Sequence, residues 1–322
     1  MQAVRVHKAG GPEGLVYENV PDPKAGAGQT VIKVEAIGLN FAEVNQRRNA
    51  NPAGLPMPIG GEAAGTVVEV GEGVTTFKVG DRVAFNGVPG AYAELAAAPA
   101  ARLVRIPDNV TTKQAAAALL QGMTAHYLAC STYPLEAHDT CLVHAAAGGV
   151  GLLLCQIAKQ RGARVIGTVS TEAKAKAARE AGASETILYT QIDFAEEVKR
   201  LTDGRGVDVV YDSVGQTTFA KGLDCLRPRG TMVVYGQASG PVAPVDTGLL
   251  STKGCLYLTR VNLGTYTATR QELEERSGDI FNWVGSGQLK IHIHGEYPLA
   301  QAARAQAALE QRETMGKVLL IP

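Results

Sequence analysis

Two rhythms of apolar and polar residues divide the chain. Up to about residue 121 the pattern has period two, with Val31, Lys33 and Glu35 alternating against Ile32, Val34 and Ala36. Alternation of this kind predicts half-buried strands, here at 2–7, 15–20, 30–37, 59–70, 82–85, 92–96 and 103–106. Turns rich in Gly and Pro separate them, as in GGPEG and PDPKAGAG, and a short helix is expected at 40–47. Many short strands with such turns predict a small β-barrel or sandwich. Thr111-x-x-Gln114 has the pattern of a capping box opening a helix through 113–120, and a second helix is expected at about 123–131.

From 139 onward the rhythm is different. Continuous apolar runs at 139–145, 163–169, 185–189, 207–212 and 231–235 alternate with helical spacing at 152–159, 172–181, 193–201 and 221–226. Buried strands that alternate with helices predict a parallel, doubly wound sheet, so the fold class is α/β. A further strand at 254–259 and a helix at 271–284 follow. The tail then reads strand (291–298), helix (299–311), strand (316–322) and does not continue the βαβ rhythm. It is therefore expected to rejoin the first part, giving domains of 1–123 with 265–322 and of 124–264.

The first joint of the α/β part carries chemistry. Ala147-Gly148-Gly149-Val150-Gly151 breaks the strand and opens the helix, which is the layout of a dinucleotide-binding corner. Gly148 would let the backbone approach a pyrophosphate, whose charge the N–H groups of the first helical turn can meet. Gly151 would let helix and strand pack closely. The usual G-x-G-x-x-G stands here as Ala146-x-Gly148-x-x-Gly151, its first glycine replaced by alanine.

Composition narrows the partners. The 322 residues are 45% hydrophobic and 19% charged, and Lys+Arg and Asp+Glu each number 31. Balanced charge gives no field for a polyanion or an acidic membrane surface, so a nucleic acid is not the expected partner. MQAVRVHKAGG has no apolar signal core and no apolar run reaches spanning length. The five cysteines are scattered, which suits a reducing cytoplasm better than a disulfide framework.

GLNFAEV (38–44), GGEAAGTVVEVGEGV (60–74), VGDRVAF (79–85), GMTAHYL (122–128), HAAAGGVG (144–151), YDSVG (211–215) and the terminal GKVLLIP make the chain resemble the medium-chain dehydrogenase/reductase superfamily. The similarity is strongest to its zinc-free NADPH:quinone reductases, which include zeta-crystallin. The resemblance implies a GroES-like β-rich catalytic domain plus a Rossmann domain, a cofactor in the cleft between them, hydride transfer to a quinone, and a homodimer joined along the strand that ends the Rossmann sheet.

Related alcohol dehydrogenases hold zinc with a Cys, a Gly-His-Glu motif and a distant Cys. Here the motif reads Gly60-Gly61-Glu62 and no cysteine precedes Cys130, so no metal is expected. His292 and His294 share one face of a strand but lack a third ligand, and read as a solvated face. Glu62, a carboxylate in an apolar run, is expected to be buried and satisfied by backbone donors or an arginine.

NAD-specific sites carry an acid about 20 residues past the glycine motif, at the tip of the second strand. This tip reads Gly167-Thr168-Val169-Ser170-Thr171 with Lys174 close behind, a pattern suited to the 2′-phosphate of NADPH. The resemblance adds Tyr189 beside that phosphate, Gly148, Gly149, Val150 and Gly151 at the pyrophosphate, and Ser213 at the ribose. It puts Tyr235, Gly236, Gln237, Arg260 and Val261 around the nicotinamide pocket, with Asn40 and Thr124 at the nicotinamide end. Asn45 stands where a bacterial member of the family has tyrosine. Asn40, Asn45 and Thr124 are thus expected to position nicotinamide and substrate without a dedicated acid. Two rival readings are reduction of an enone, alkenal or enoyl thioester, and a non-catalytic crystallin-like or RNA-binding role.

Overall fold

The computed structural model describes residues 1–322, which form two compact units, Met1–Met123 with Thr267–Pro322 and Thr124–Tyr266. The chain first lays down β1 (Gln2–Val6), β2 (Leu15–Asn19), β3 (Gln29–Leu39) and helix α1 (Phe41–Arg48). Next come β4 (Met57–Pro58), β5 (Glu62–Val70), β6 (Arg82–Asn86), β7 (Leu95–Pro99), β8 (Leu103–Arg105) and helix α2 (Thr112–Tyr127), within which the division falls.

The second unit alternates strand and helix. It runs β9 (Thr140–Val143), α3 (Gly149–Gln160), β10 (Arg164–Val169), α4 (Glu172–Glu180), β11 (Glu185–Leu188) and α5 (Phe194–Leu201). It then continues through β12 (Val207–Asp212), α6 (Phe219–Asp224), β13 (Leu226–Val234), α7 (Thr247–Thr252), β14 (Tyr257–Arg260) and α8 (Leu263–Tyr266). The chain ends in α9 (Arg270–Gly285), β15 (Ile293–Pro298), α10 (Ala302–Glu310) and β16 (Lys317–Ile321).

Strands β9 to β14 form one six-stranded sheet in the order β11-β10-β9-β12-β13-β14, all pairs parallel. The strand order reverses direction at β9, where ligands bind in open α/β sheets, and the glycine corner follows β9 directly. Leu142, Ile166, Ile187, Val210 and Met232 lie in one buried cluster of this sheet. Both faces of a parallel sheet are covered, so its strands are apolar throughout; β12 is buried at every position.

In the first unit β15, β16, β3, β5, β6 and β8 are neighbours in a sheet that β7 joins through β3, while β2, β1 and β4 pair separately. Ile32, Ile37, Val67, Val83, Phe85 and Leu320 share its core. β3 is forked. One edge pairs with β5, while the other pairs with β7 over Gln29–Lys33 and with β16 over Ile37–Leu39. The Val318–Leu39 pairing brings Lys317 to the level of Asn40, the residue just past β3. On the opposite edge Ala63 pairs with Ile37, which brings Glu62 to the level of Gly38.

Several expectations shift, and the strands read at 59–70 and 254–259 lie at Glu62–Val70 and Tyr257–Arg260. The helices read at 113–120 and 123–131 are one helix, α2, with a π-type turn at Leu128–Thr132. Gly122 does not interrupt it, and a Cβ there would come within 2.8 Å of Ile280 Cγ2, so the glycine accommodates the crossing of α9. The strand read at 92–96 lies three residues later, at Leu95–Pro99. Tyr92, fully buried, precedes it in a loop whose Ala93 makes one isolated bridge to Ala3.

Candidate functional site

The first unit holds a buried polar cluster where β3, α1, β5, α2 and β16 meet. Lys317, 1% exposed, approaches Glu62 Oε2 at 2.6 Å and donates to Asn40 Oδ1 at 2.7 Å. Asn40 Nδ2 donates to Glu62 Oε2 at 2.9 Å and to the Gly38 carbonyl at 3.2 Å. Gln121 Nε2 adds a bond of 3.3 Å to Asn40 Oδ1, and the Leu120 N–H, midway along α2, donates to Glu62 Oε1 at 2.6 Å.

Charge fixes the direction of the Asn40 amide. An ammonium on one side requires the oxygen there, and a carboxylate on the other requires the NH2. A methyl group at Gly38 would stand 2.2 Å from Glu62 Oε2 and 2.6 Å from the Ala116 carbonyl, so glycine is what lets β3 run this close. Glu62 is buried and paired as the sequence suggested, but its cation is the distant Lys317 and not an arginine. The only sequence signal for that partner was a lone lysine heading the apolar run KVLLI.

Both hydrogens of the Asn40 amide are committed within the protein, and its oxygen accepts from Gln121 and Lys317. Asn45 is half-buried one turn along α1. Thr124 is buried on α2.

Beside the lock lies Glu43, 3% exposed, whose Oε2 accepts from the Asn40 N–H at 2.8 Å. Burial pushes its carboxyl up to about 7 against the pull of Lys317 and the Asn40 N–H, and Glu62 adds to the rise. Its Oε1 faces Gly61, being 3.4 Å from where a Cβ on that residue would lie.

In the second unit the expected residues gather along the carboxyl ends of the parallel strands. At the glycine corner, a Cβ on Gly151 would come within 2.4 Å of the Ala145 carbonyl, so packing alone demands glycine there. Gly148 is different. It has φ −75° and ψ 174°, and an added Cβ would meet only that same carbonyl, at 3.1 Å. The fold asks little of glycine at 148, and no side chain caps α3 there. An open helix N-terminus with unobstructed backbone suits a phosphate group.

At the tip of β10, Ser170 is half-buried and Thr171 caps α4, accepting from the Lys174 N–H at 3.3 Å. Thr190 Oγ1 donates to the Ser170 carbonyl and the Tyr189 N–H to the Val169 carbonyl, which brings Tyr189 alongside Ser170. Glu172, in the first turn of α4, is exposed and leans towards Arg179 at 3.8 Å. Ser213 and Gly236 touch closely, since a Cβ on Gly236 would fall 2.4 Å from the Ser213 carbonyl. Asp212 Oδ1 ties this turn by accepting from the N–H groups of Val214 and Gly215. Tyr235 and Gln237 are half-buried, while Val261 and Arg260 both bond the Val234 carbonyl.

No group of three His, Cys, Asp or Glu is arranged to hold a metal ion. His292 and His294 are both exposed, and His294 Nδ1 accepts from the Met315 N–H at 3.4 Å.

A parallel sheet with its glycine corner, joined in one chain to a β-rich unit of GroES-like pattern, defines a medium-chain dehydrogenase/reductase. Residues 26–108 match the family profile of the alcohol dehydrogenase GroES-like domain and 149–278 that of zinc-binding dehydrogenases. The chain is 47% identical over 315 residues to a quinone oxidoreductase of Pseudomonas aeruginosa, covering 97% of both. It is 42% identical to a 2-haloacrylate reductase of Burkholderia, covering 100% of this chain and 99% of that one. An Escherichia coli quinone oxidoreductase solved in complex with NADPH superposes with a TM-score of 0.97 at 42% identity, over 100% of both chains. The chain belongs to the quinone oxidoreductase family of this superfamily.

Two outcomes follow from the buried cluster. Lys317→Met strands the Glu62 carboxylate and should cost about 3–5 kcal/mol in denaturant unfolding, while Glu62→Gln/Lys317→Met together should recover most of it. A double variant as unstable as the single one would mean that the pair does not act as a pair. Glu43 holds its proton more tightly when folded than unfolded, because its carboxyl is raised from 4.5 to about 7. Its contribution to stability is complete below about 4.5 and disappears as pH rises through about 7. Stability should therefore fall between pH 5 and 8 by up to roughly 3 kcal/mol, and Glu43→Gln should remove that slope.

Proposed function

We propose that the protein reduces quinones with NADPH. The carrying observation is the acid-free β10 tip, where Ser170, Lys174 and Tyr189 stand in place of a ribose-binding carboxylate, in a chain similar along its whole length to quinone oxidoreductases. NADPH, when bound, supplies a hydride. The protein's part is to hold and orient. Gly148, Gly149, Val150 and Gly151 take the pyrophosphate, and Lys174 and Tyr189 flank the 2′-phosphate. Ser213 takes the ribose, and Tyr235, Gly236, Gln237, Arg260 and Val261 border the nicotinamide. The family resemblance assigns the acceptor to Asn45 and Thr124, while Asn40 is held within the buried cluster. No metal takes part in this scheme, since Gly61 occupies the position of the ligand histidine.

A second acceptor class is the electron-poor alkene. The likeness to a 2-haloacrylate reductase favours it. Side-by-side turnover of 1,4-benzoquinone, a naphthoquinone, 2-hexenal and crotonyl-CoA with NADPH separates the two readings. We also propose a cytoplasmic homodimer. None of the five cysteines is in a disulfide, no helix is long and apolar enough to cross a membrane, and β14 ends its sheet with Tyr257 62% exposed. An unpaired edge of this kind invites a second copy.

Lys174→Ala should weaken NADPH by about 10- to 100-fold, the worth of one charged hydrogen bond, and leave NADH nearly unchanged. Equal losses for both cofactors would show that Lys174 does not read the phosphate. Light scattering at micromolar concentration should give about twice the 33.7 kDa of one chain. A single-chain mass would count against the dimer.

A further inference from the structure

We propose that His144 is a positioning residue for NADPH: its ring accepts from the Thr168 hydroxyl and so fixes how the glycine corner lies against the β10 tip. The inference rests on the cofactor site proposed above, and it concerns the second unit alone.

His144 is the residue between β9 and the glycine corner, and it is 1% exposed. β9 lies between β10 and β12 in the sheet, so a residue leaving it can be fastened on both sides. The His144 N–H donates to the Tyr211 carbonyl on β12 at 3.1 Å, and the Ala146 N–H donates to the Thr168 carbonyl on β10 at 3.1 Å. Between them Ala145 sits at φ 52°, a conformation that costs energy in any residue with a Cβ. Its carbonyl accepts from the Gly148 N–H at 2.8 Å. The corner thus begins at a strained residue that its neighbours must hold in place.

The imidazole adds a side-chain bond to this frame. His144 Nδ1 lies 2.9 Å from Thr168 Oγ1, so Thr168, itself 2% exposed, is joined to the corner by its carbonyl and by its hydroxyl. Two residues further on is Ser170, and then Thr171, which caps α4 beside Lys174. The two segments also touch. A Cβ on Gly167 would come within 2.7 Å of Ala146 Cβ, so glycine at 167 makes room for the alanine that replaces the first glycine of the motif.

The proton in the His144–Thr168 bond has a direction. Nε2 lies toward α6, 3.9 Å from where a Cβ on Gly222 would be, and has no hydrogen-bond partner in the chain. Phe194 packs against the imidazole with ring planes at 83° and centroids 4.9 Å apart. Asp212, whose carboxylate accepts from Thr218 at the start of α6, is the charge that acts on the ring. Burial disfavours the imidazolium and outweighs Asp212, which favours it, so the ring is held neutral. A neutral imidazole has one N–H. The Asp212 carboxylate draws that hydrogen to Nε2, which leaves Nδ1 to accept from the Thr168 hydroxyl.

NADPH presents phosphate to both ends of this frame and NADH to one. The pyrophosphate belongs to the glycine corner, and the 2′-phosphate to Ser170, Lys174 and Tyr189. Residues that hold such contacts in register act on a ligand only as far as it uses both ends. Loosening the His144–Thr168 link therefore weakens NADPH more than NADH.

The test is the affinity of the protein for NADPH and for NADH, each followed by fluorescence titration. Thr168→Val, which keeps the shape and removes the hydroxyl, should weaken NADPH by about 2- to 10-fold and leave NADH nearly unchanged. Thr168→Ser, which keeps the hydroxyl, should retain the preference. His144→Asn places an amide oxygen where Nδ1 stands and should recover most of the preference, whereas His144→Gln reaches the Nε2 position and should lose it. His144→Leu with Thr168→Val should lose no more than either change alone. A ¹⁵N spectrum of the wild-type imidazole should show its hydrogen on Nε2. Thr168→Val disturbs no ring packing and keeps the proposal falsifiable if the His144 variants fold poorly. Wild-type NADPH affinity in Thr168→Val, equal losses for the two cofactors, or a hydrogen on Nδ1 would overturn it. A wild-type protein that binds both cofactors alike would instead remove the reading on which it rests.

Discussion

One buried ion pair organises the first unit around its chemistry. Lys317 and Glu62 meet at 2.6 Å with 1% and 0% of their side chains exposed, and Asn40 lies against both. Removing two charges from water is costly and is offset only when the remaining lone pairs and protons find partners. Here they do, through the Asn40 amide and the Leu120 N–H. The pair thereby joins the C-terminal strand, the GGE segment, the end of β3 and the middle of α2. α1 begins at the residue so fixed, which sets where Glu43 and Asn45 stand.

The second unit reaches its readiness for a ligand by different means. Its residues are positioned by backbone, at the carboxyl ends of a parallel sheet, and glycines report which contacts matter. Gly151 and Gly236 are glycine because the protein's own carbonyls leave no room for a Cβ. Gly148 is glycine without such a demand, which points to something outside the chain approaching there. The first unit holds a buried charge pair, and the second presents the uncapped N-terminus of α3 and a β10 tip without a carboxylate.

The second unit was the more legible in the sequence. Parallel strands buried on both faces read as apolar runs, and VDVVYD or ARVIGTV admits few other readings. Long-range pairing was not legible. Nothing local marks Lys317 as the partner of a glutamate 255 residues earlier, because register across β3 brings them together. Two helices were read where one continuous helix runs, and the close approach of Ile280 accounts for Gly122 within it. Asn40 could be marked as a site residue by its motif, but the full engagement of its amide depends on Glu62, Gln121 and Lys317, from three separate segments. The burial of Glu43 was not legible either: a glutamate in the first turn of a helix is ordinary, and its 3% exposure is set by tertiary packing.

The most direct test of this account is a carboxyl titration of the folded protein, followed by NMR on chains carrying ¹³C in the glutamate side chains. The account predicts one resonance with a midpoint near pH 7 that is absent from Glu43→Gln and shifts upward in Lys317→Met, where the opposing ammonium is gone. If every glutamate titrated below about pH 5, or if the neutral-range resonance survived Glu43→Gln, the buried cluster would not hold the proton that the account assigns to it.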